Sequence, residues 1–250
     1  MSEETVDLLV ASGTHVGLVH HTNEDSYAVF PMPPTCQLLA VCDGMGGMGR
    51  GDEASAIAVE VLQERLSEGV GFAPDRMERA IQAADVEIRR RLAGPGNTPG
   101  STAVMIAVDQ GLAHVVWAGD SRGYWIRETA VKERTRDHKL VNELVDAGEL
   151  TEEEAKLSAL AHVVTKALGG RGPGEPPIVP SRIEHPWKLH AGDTLLLCSD
   201  GLCDLATDDE IARLAAQDDL DQAVADLTQL ALDRGGHDTI TIVIGRWVGA

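Results

Sequence analysis

The chain has 250 residues, 43% of them hydrophobic, which suffices for one large globular domain or two small ones. A formal net charge of −19 leaves no basic surface to release counterions, which argues against nucleic-acid binding. No apolar run approaches the ~20 residues that a bilayer crossing needs. The acidic start MSEETVDLLVASG also lacks a signal-peptide pattern, so a cytoplasmic protein without membrane contact is expected.

In chain order, strand-like runs come first, at 7–12 (DLLVAS), 26–30 (SYAVF) and 37–43 (QLLAVCD). The third ends in Asp43, and five glycines follow within eight residues. Two helices come next. Ala54, Ile57, Ala58, Val61, Leu62 and Leu66 form one apolar stripe; Met77, Ile81, Ala84, Ile88 and Leu92 form another, with Pro74 suited to a first turn. The run GPGNTPG at 94–100 reads as a turn cluster. Residues 101–109, 112–118, RGYWIRE and AVKER read as sequential antiparallel strands. The polar stretch 138–160 reads as helical, and Thr151 with Glu154 fits a capping box. A proline- and glycine-rich loop precedes a strand at 194–200 (TLLLCSD). Two helices then fill 208–233, and DTITIVIGRW at 238–247 closes the chain. Cys36, Cys42, Cys198 and Cys203 form no C-x-x-C pair and read as small core hydrophobes.

Gly44, Gly46 and Gly49 spell G-x-G-x-x-G, a dinucleotide-binding pattern. That reading requires strand, helix, parallel strand, whereas here one helix leads into another, so it is disfavoured. A second regularity concerns carboxylates at strand ends. Glu24 and Asp25 precede a strand, Asp43 ends one, and Asp120 follows Gly119 after another. Asp200 ends TLLLCSD, Asp204 lies four residues on, and Asp238 opens the last strand. Converging carboxylates repel one another unless cations neutralise them, and all-oxygen ligands favour Mg²⁺ or Mn²⁺ over zinc. Asp-Gly after a strand is equally an ordinary turn signal, and the residues by themselves leave both readings open.

The segments GLVHHTNEDSY (17–27), VCDGMGG (41–47), GSTA (100–103), WAGDSRGY (117–124), TRDHKLVNELVDAGELTEEEA (135–155), HVVTKALGG (162–170), GDTLLLCSDGLCDLATDDEI (192–211) and GGHDTITIVI (235–244) occur together and in this order. In this the chain resembles the metal-dependent protein serine/threonine phosphatases of the protein phosphatase 2C family, bacterial type. The resemblance implies an α+β fold: a four-layer α-β-β-α sandwich of two antiparallel sheets flanked by helix pairs. It implies one catalytic domain over 1–250, with a small helical flap at about 136–170. Asp43, Asp200 and Asp238 match the ligands of one metal, and Glu24, Asp43 and the Gly44 carbonyl those of a second. Asp25 matches an outer-shell acid that positions water. Asp120, Asp200 and Asp204 match a weaker third-metal site. The implied cofactors are two Mg²⁺ or Mn²⁺ ions with room for a third. The implied reaction is in-line attack of a metal-activated water on phosphoserine or phosphothreonine, without a phosphoenzyme. Phosphorylated kinases or their targets would be the substrates, and a monomer is expected.

Three departures from the family pattern stand out. His20 replaces the arginine that grips the substrate phosphate, and histidine offers at most two donors and a reference pKa near 6.5. Weaker phosphate binding, or binding that improves toward pH 6, is expected. Met45 and Met48 stand where some relatives carry a histidine, which leaves His162 as a candidate helper at the substrate. Thr239 replaces the usual asparagine after Asp238, where a small adjustment around the metal is expected. The alternative function is a phosphoprotein-binding module that keeps the metals but has weak or no turnover.

Overall fold

The computed structural model describes residues 7–32, 36–46, 49–67, 73–94, 99–170 and 174–249. The first half runs β1 (Leu8–His15), β2 (Asp25–Met32), β3 (Cys36–Met45), α1 (Gly51–Ser67), α2 (Pro74–Arg91), β4 (Gly100–Ser101), β5 (Ala103–Asp109), β6 (Leu112–Ala118), β7 (Arg122–Arg127) and β8 (Ala130–Arg134). The second runs α3 (Leu140–Asp146), α4 (Glu152–Leu157), β9 (Leu168–Gly169), β10 (Ser181–Arg182), β11 (Trp187–Lys188), β12 (Thr194–Cys198), α5 (Asp200–Cys203), α6 (Asp208–Ala215), α7 (Leu220–Asp233) and β13 (Ile240–Trp247).

The strands form two antiparallel sheets. One has the order β1-β13-β12-β7-β8; the other is built on β10-β6-β5-β3-β4-β9, with β2 on β3 and β11 on β6. Alternation along the strands explains the layering, because successive side chains point to opposite faces. Leu38, Ala40 and Cys42 of β3, with Met105 and Ala107 of β5, pack under the stripes of α1 and α2. Their neighbours Leu39, Val41, Val104 and Ile106 face Leu195, Leu197 and Val243 of the other sheet. Leu196, Cys198, Ile240, Ile242 and Ile244 point away again, onto α6 and α7. Four layers result, as the family resemblance implies, and the central strands read as continuous apolar runs because both of their faces are covered.

The helix stripes are buried as the spacing predicts, Pro74 sits in the first turn of α2, and Thr151 and Glu154 close a capping box on α4. Three expectations need correction. The strands of 101–134 are not one meander: β6 pairs with β5, whereas β7 pairs with β12 and β8 in the opposite sheet. The chain changes sheets at Gly119–Asp120–Ser121. Gly119 has φ +112°, and a Cβ there would strike Thr102. A strand buried on both faces carries the same pattern in either sheet, so periodicity cannot reveal the change. Asp200 does not end a strand but begins α5, a four-residue helix too short for a periodic signal. Likewise Asp238 precedes β13, which starts at Ile240. The turn cluster at 94–100 and Met48 fall largely or wholly outside the described residues. Among the described residues no helix is long and apolar enough to cross a membrane.

Leu197 is fully buried between the sheets. Leu197→Ala is expected to lower the unfolding free energy by about 2–5 kcal/mol, read as a lower denaturant midpoint with an unchanged m-value.

Candidate active site

The site begins with a conflict in strand pairing. The β2–β3 register sets Asp25 directly opposite Asp43, and like charges in that relation disfavour the pairing. The backbone around them is tightly fixed. Asp43 N donates to Thr102 Oγ1 at 2.9 Å, and Asp43 O accepts from Thr102 N at 2.8 Å. Gly44 N donates to Glu24 O at 3.0 Å. A Cβ on Gly44 would land on the backbone oxygens of Gly51 and Glu24, and one on Gly51 would strike the Glu24 carboxylate. The glycines after Asp43 thus admit close backbone approach between β3, Glu24 and the start of α1.

The opposite sheet delivers the remaining acids. Ser199, between β12 and α5, donates from Oγ to Asp25 Oδ2 at 2.7 Å and accepts from Thr241 N at 2.9 Å, a direct tie between the sheets. Asp200 follows at the first position of α5, and Asp204 caps its other end. Thr239 N donates to Asp238 Oδ1 at 2.7 Å. Asp120 lies in the crossover between sheets and is 3% exposed.

Burial is the first cause of the unusual acidities here, and mutual repulsion the second. Asp43 is pushed far above the carboxylate range by burial, then by Asp200, Asp25, Asp120 and Asp238. Asp200 rises to about 8 through burial, Asp120, Asp204 and Asp238. Burial also raises Asp25, against hydrogen bonds from Thr241, Ser199 and Thr239 that favour its charged form. Glu24 is raised by burial and Asp52, and Asp120 by burial despite Lys139. The structure therefore gathers Glu24, Asp25, Asp43, Asp120, Asp200, Asp204 and Asp238 into one field.

Two buried oxygens in this field, Asp25 Oδ1 and Asp200 Oδ1, have no hydrogen-bond partner among the described residues. Each such group costs about 1–3 kcal/mol, more when charged. Among the described residues no three His, Cys, Asp or Glu side chains stand in an arrangement that already cages an ion. The orphaned oxygens weigh more heavily, because a preformed cage is a matter of rotamers whereas an unpaired buried carboxylate calls for a cation. The donor set is all oxygen, which fits a hard divalent ion.

His20 lies at the rim of this field, its Nε2 3.6 Å from Asp238 Oδ1, with both side chains 45% exposed. Its loop is seated by Gly17, where a Cβ would strike the backbone oxygens of Asp238 and Gly236. His162 is exposed in the turn after α4. Met45 ends β3. Thr239 O accepts from Ser199 Oγ at 3.3 Å, beside the Ser199–Asp25 contact. All four cysteines are buried and free; burial pushes the Cys36 thiol up to about 12 and raises Cys42 as well, against thiolate chemistry at those two. A cavity of about 570 Å³ beside Glu64, Arg65, Glu87 and Arg91 shares no residue with the acidic field.

Sequence reasoning missed Ser199 and Lys139. Lys139 is 7% exposed, and its Nζ lies 3.3 Å from Asp120 Oδ2 and 3.1 Å from Asp204 Oδ1. One lysine in a polar stretch carries no signal of burial; only the tertiary fold reveals it.

A family model for protein phosphatase 2C matches residues 13–240. Serine/threonine protein phosphatase PstP of Mycobacterium tuberculosis is 34% identical over 253 residues, covering 98% of this chain and 46% of that protein, so the chain spans about half that relative's length. The Streptococcus agalactiae (S. agalactiae) serine/threonine phosphatase structure superposes with a TM-score of 0.88 at 30% identity, covering 97% of this chain and 100% of that one. The catalytic domain of PstP in complex with two manganese ions superposes at 0.81 with 31% identity, covering 97% and 99%.

Gly44→Ala forces a methyl into backbone on two sides. The melting temperature is expected to fall by several degrees, whereas an unstrained glycine-to-alanine change, which stabilises by about 0.4–1 kcal/mol, would raise it. An unchanged melting temperature would show that the close approach is unimportant.

Proposed function

The chain belongs to the protein phosphatase 2C family, and from that premise we propose that it is a metal-dependent phosphatase of phosphoserine and phosphothreonine in proteins. The observation that carries this reading is the buried, same-sign carboxylate field with two unpartnered oxygens. Asp43, Asp200 and Asp238 would hold one ion; Glu24, Asp43 and the Gly44 carbonyl would hold the other, with Asp43 shared. Mg²⁺ and Mn²⁺ both suit these ligands. When bound, such ions supply Lewis acidity, lowering the pKa of water and stabilising charge on the transferring phosphoryl group.

The protein's own part is orientation and charge. Ser199 fixes one oxygen of Asp25, which leaves Oδ1 as the acceptor for a proton of the attacking water. His20 stands beside Asp238 at the open edge, where a ring N–H reaches an incoming phosphate oxygen. With a single imidazole in place of a guanidinium fork, phosphate binding loses one donor and its permanent charge. Phosphorylated serine/threonine kinases or their targets are the proposed substrates.

Purified protein should hydrolyse a phosphothreonine peptide with Mn²⁺, and should lose activity in EDTA and in Asp43→Ala. Binding of Mn²⁺ and phosphopeptide without turnover would favour a phosphoprotein-binding module instead. Asp43→Asn removes a buried carboxyl whose ionisation its neighbours oppose, and should raise the metal-free melting temperature at neutral pH while abolishing the further rise on adding Mn²⁺. A lower metal-free melting temperature would contradict the repulsion argument. His20→Arg should lower KM for the peptide several-fold with a smaller change in kcat; an unchanged or higher KM would remove His20 from the phosphate site.

A further inference from the structure

Asp120 and Asp204 match a site for a third ion, yet both already have a cation between them. We propose that the Lys139 ammonium is the resident cation of this site, so that the chain takes two divalent ions and admits no third. The proposal rests on the metal-centre reading above and concerns only the Asp120–Asp204 side of it.

The contacts are those of a built-in counter-ion. Lys139 Nζ lies 3.3 Å from Asp120 Oδ2, and 3.1 and 3.5 Å from the two oxygens of Asp204. A divalent ion bound to the same oxygens would sit within a few ångströms of the ammonium in a mostly buried setting, where like charges repel strongly. One of the two cations must leave.

Lysine is poorly placed to be the one that leaves, because its backbone is locked from both sides. His138, just before it, stacks on Trp117 with ring centroids 5.7 Å apart. His138 Nδ1 accepts from Gly119 N at 3.1 Å, and its Nε2 lies 2.8 Å from Ser181 Oγ. Burial, with Lys166 nearby, lowers the His138 pKa to about 4, consistent with a neutral ring in these roles. Asp137 forms a two-pronged pair with Arg122, both contacts at 2.8 Å. After Lys139, Leu140 N donates to Val163 O at 2.8 Å, and Lys139 bridges to Val164. The same residues that aim the ammonium also root the α3–α4 segment, so one side chain fastens that segment to the acidic field.

Equilibrium binding of Mn²⁺ carried into the millimolar range tests the assignment. Lys139→Ala, and the longer neutral Lys139→Gln should alanine fail to fold, are expected to bind one more Mn²⁺ per chain than wild type. That gain should be absent in Lys139→Arg and lost when Asp204→Asn is added. Equal stoichiometry in the wild type and the neutral variants overturns the proposal. So does a wild-type ion that Asp204→Asn removes. Asp43→Ala, measured alongside, reports on the core ions separately. If it changes nothing, the metal-centre reading fails, while the difference between wild type and the Lys139 variants still decides the lysine.

Discussion

Placing carboxylates of one sign where two sheets meet, away from water, is the constraint around which this molecule is organised. Asp25 faces Asp43 across a strand pair that charge repulsion opposes; Asp200 and Asp238 join them from the side of the other sheet, and Asp120 from the crossover between the two. Such an arrangement survives only because the surroundings leave the acids little freedom to part. Leu39, Val41, Leu195 and Leu197 hold the sheets face to face, and Ser199 ties one edge to the other through Asp25. The apolar layer between the sheets therefore supports the stability of the fold and the unfavourable density of charge together.

The protein meets that density with more than one kind of positive group. Divalent ions are proposed for the side lined by Glu24, Asp43 and Asp238, a covalently attached ammonium stands between Asp120 and Asp204, and an imidazole sits at the open rim beside Asp238. These differ in permanence. The ammonium is always present, the ions depend on supply, and a histidine's charge depends on pH. Family likeness predicts the acids but says little about which of these cations meets which acid.

Much of this was readable from the sequence. Helical spacing marked the stripes of α1 and α2, Thr151 and Glu154 marked the start of α4, and acids next to glycines marked the turns that bear the site. The ordered motifs identified the layered fold. What remained hidden has a common physical origin: it depends on partners remote in sequence. Whether β7 continues beside β6 or crosses to β12 is decided by the second sheet, to which local alternation is blind. The burial of Lys139 depends on Asp204, 65 residues away, and the role of Ser199 on Asp25, 174 residues away.

The order of the strands has a consequence for how the chain is made. β13 lies between β1 and β12, so the first strand of that sheet pairs with the last. A chain emerging from the ribosome amino-terminus first can assemble the β2–β3–β5–β6 unit with its two helices early, since those partners are near in sequence. Its first strand must wait, without a strand partner, until residues 240–247 arrive. Asp238 arrives with them. The acidic field is thus completed in the same step that closes the sheet, and the growing chain carries an incomplete set until residues 238–247 have been made.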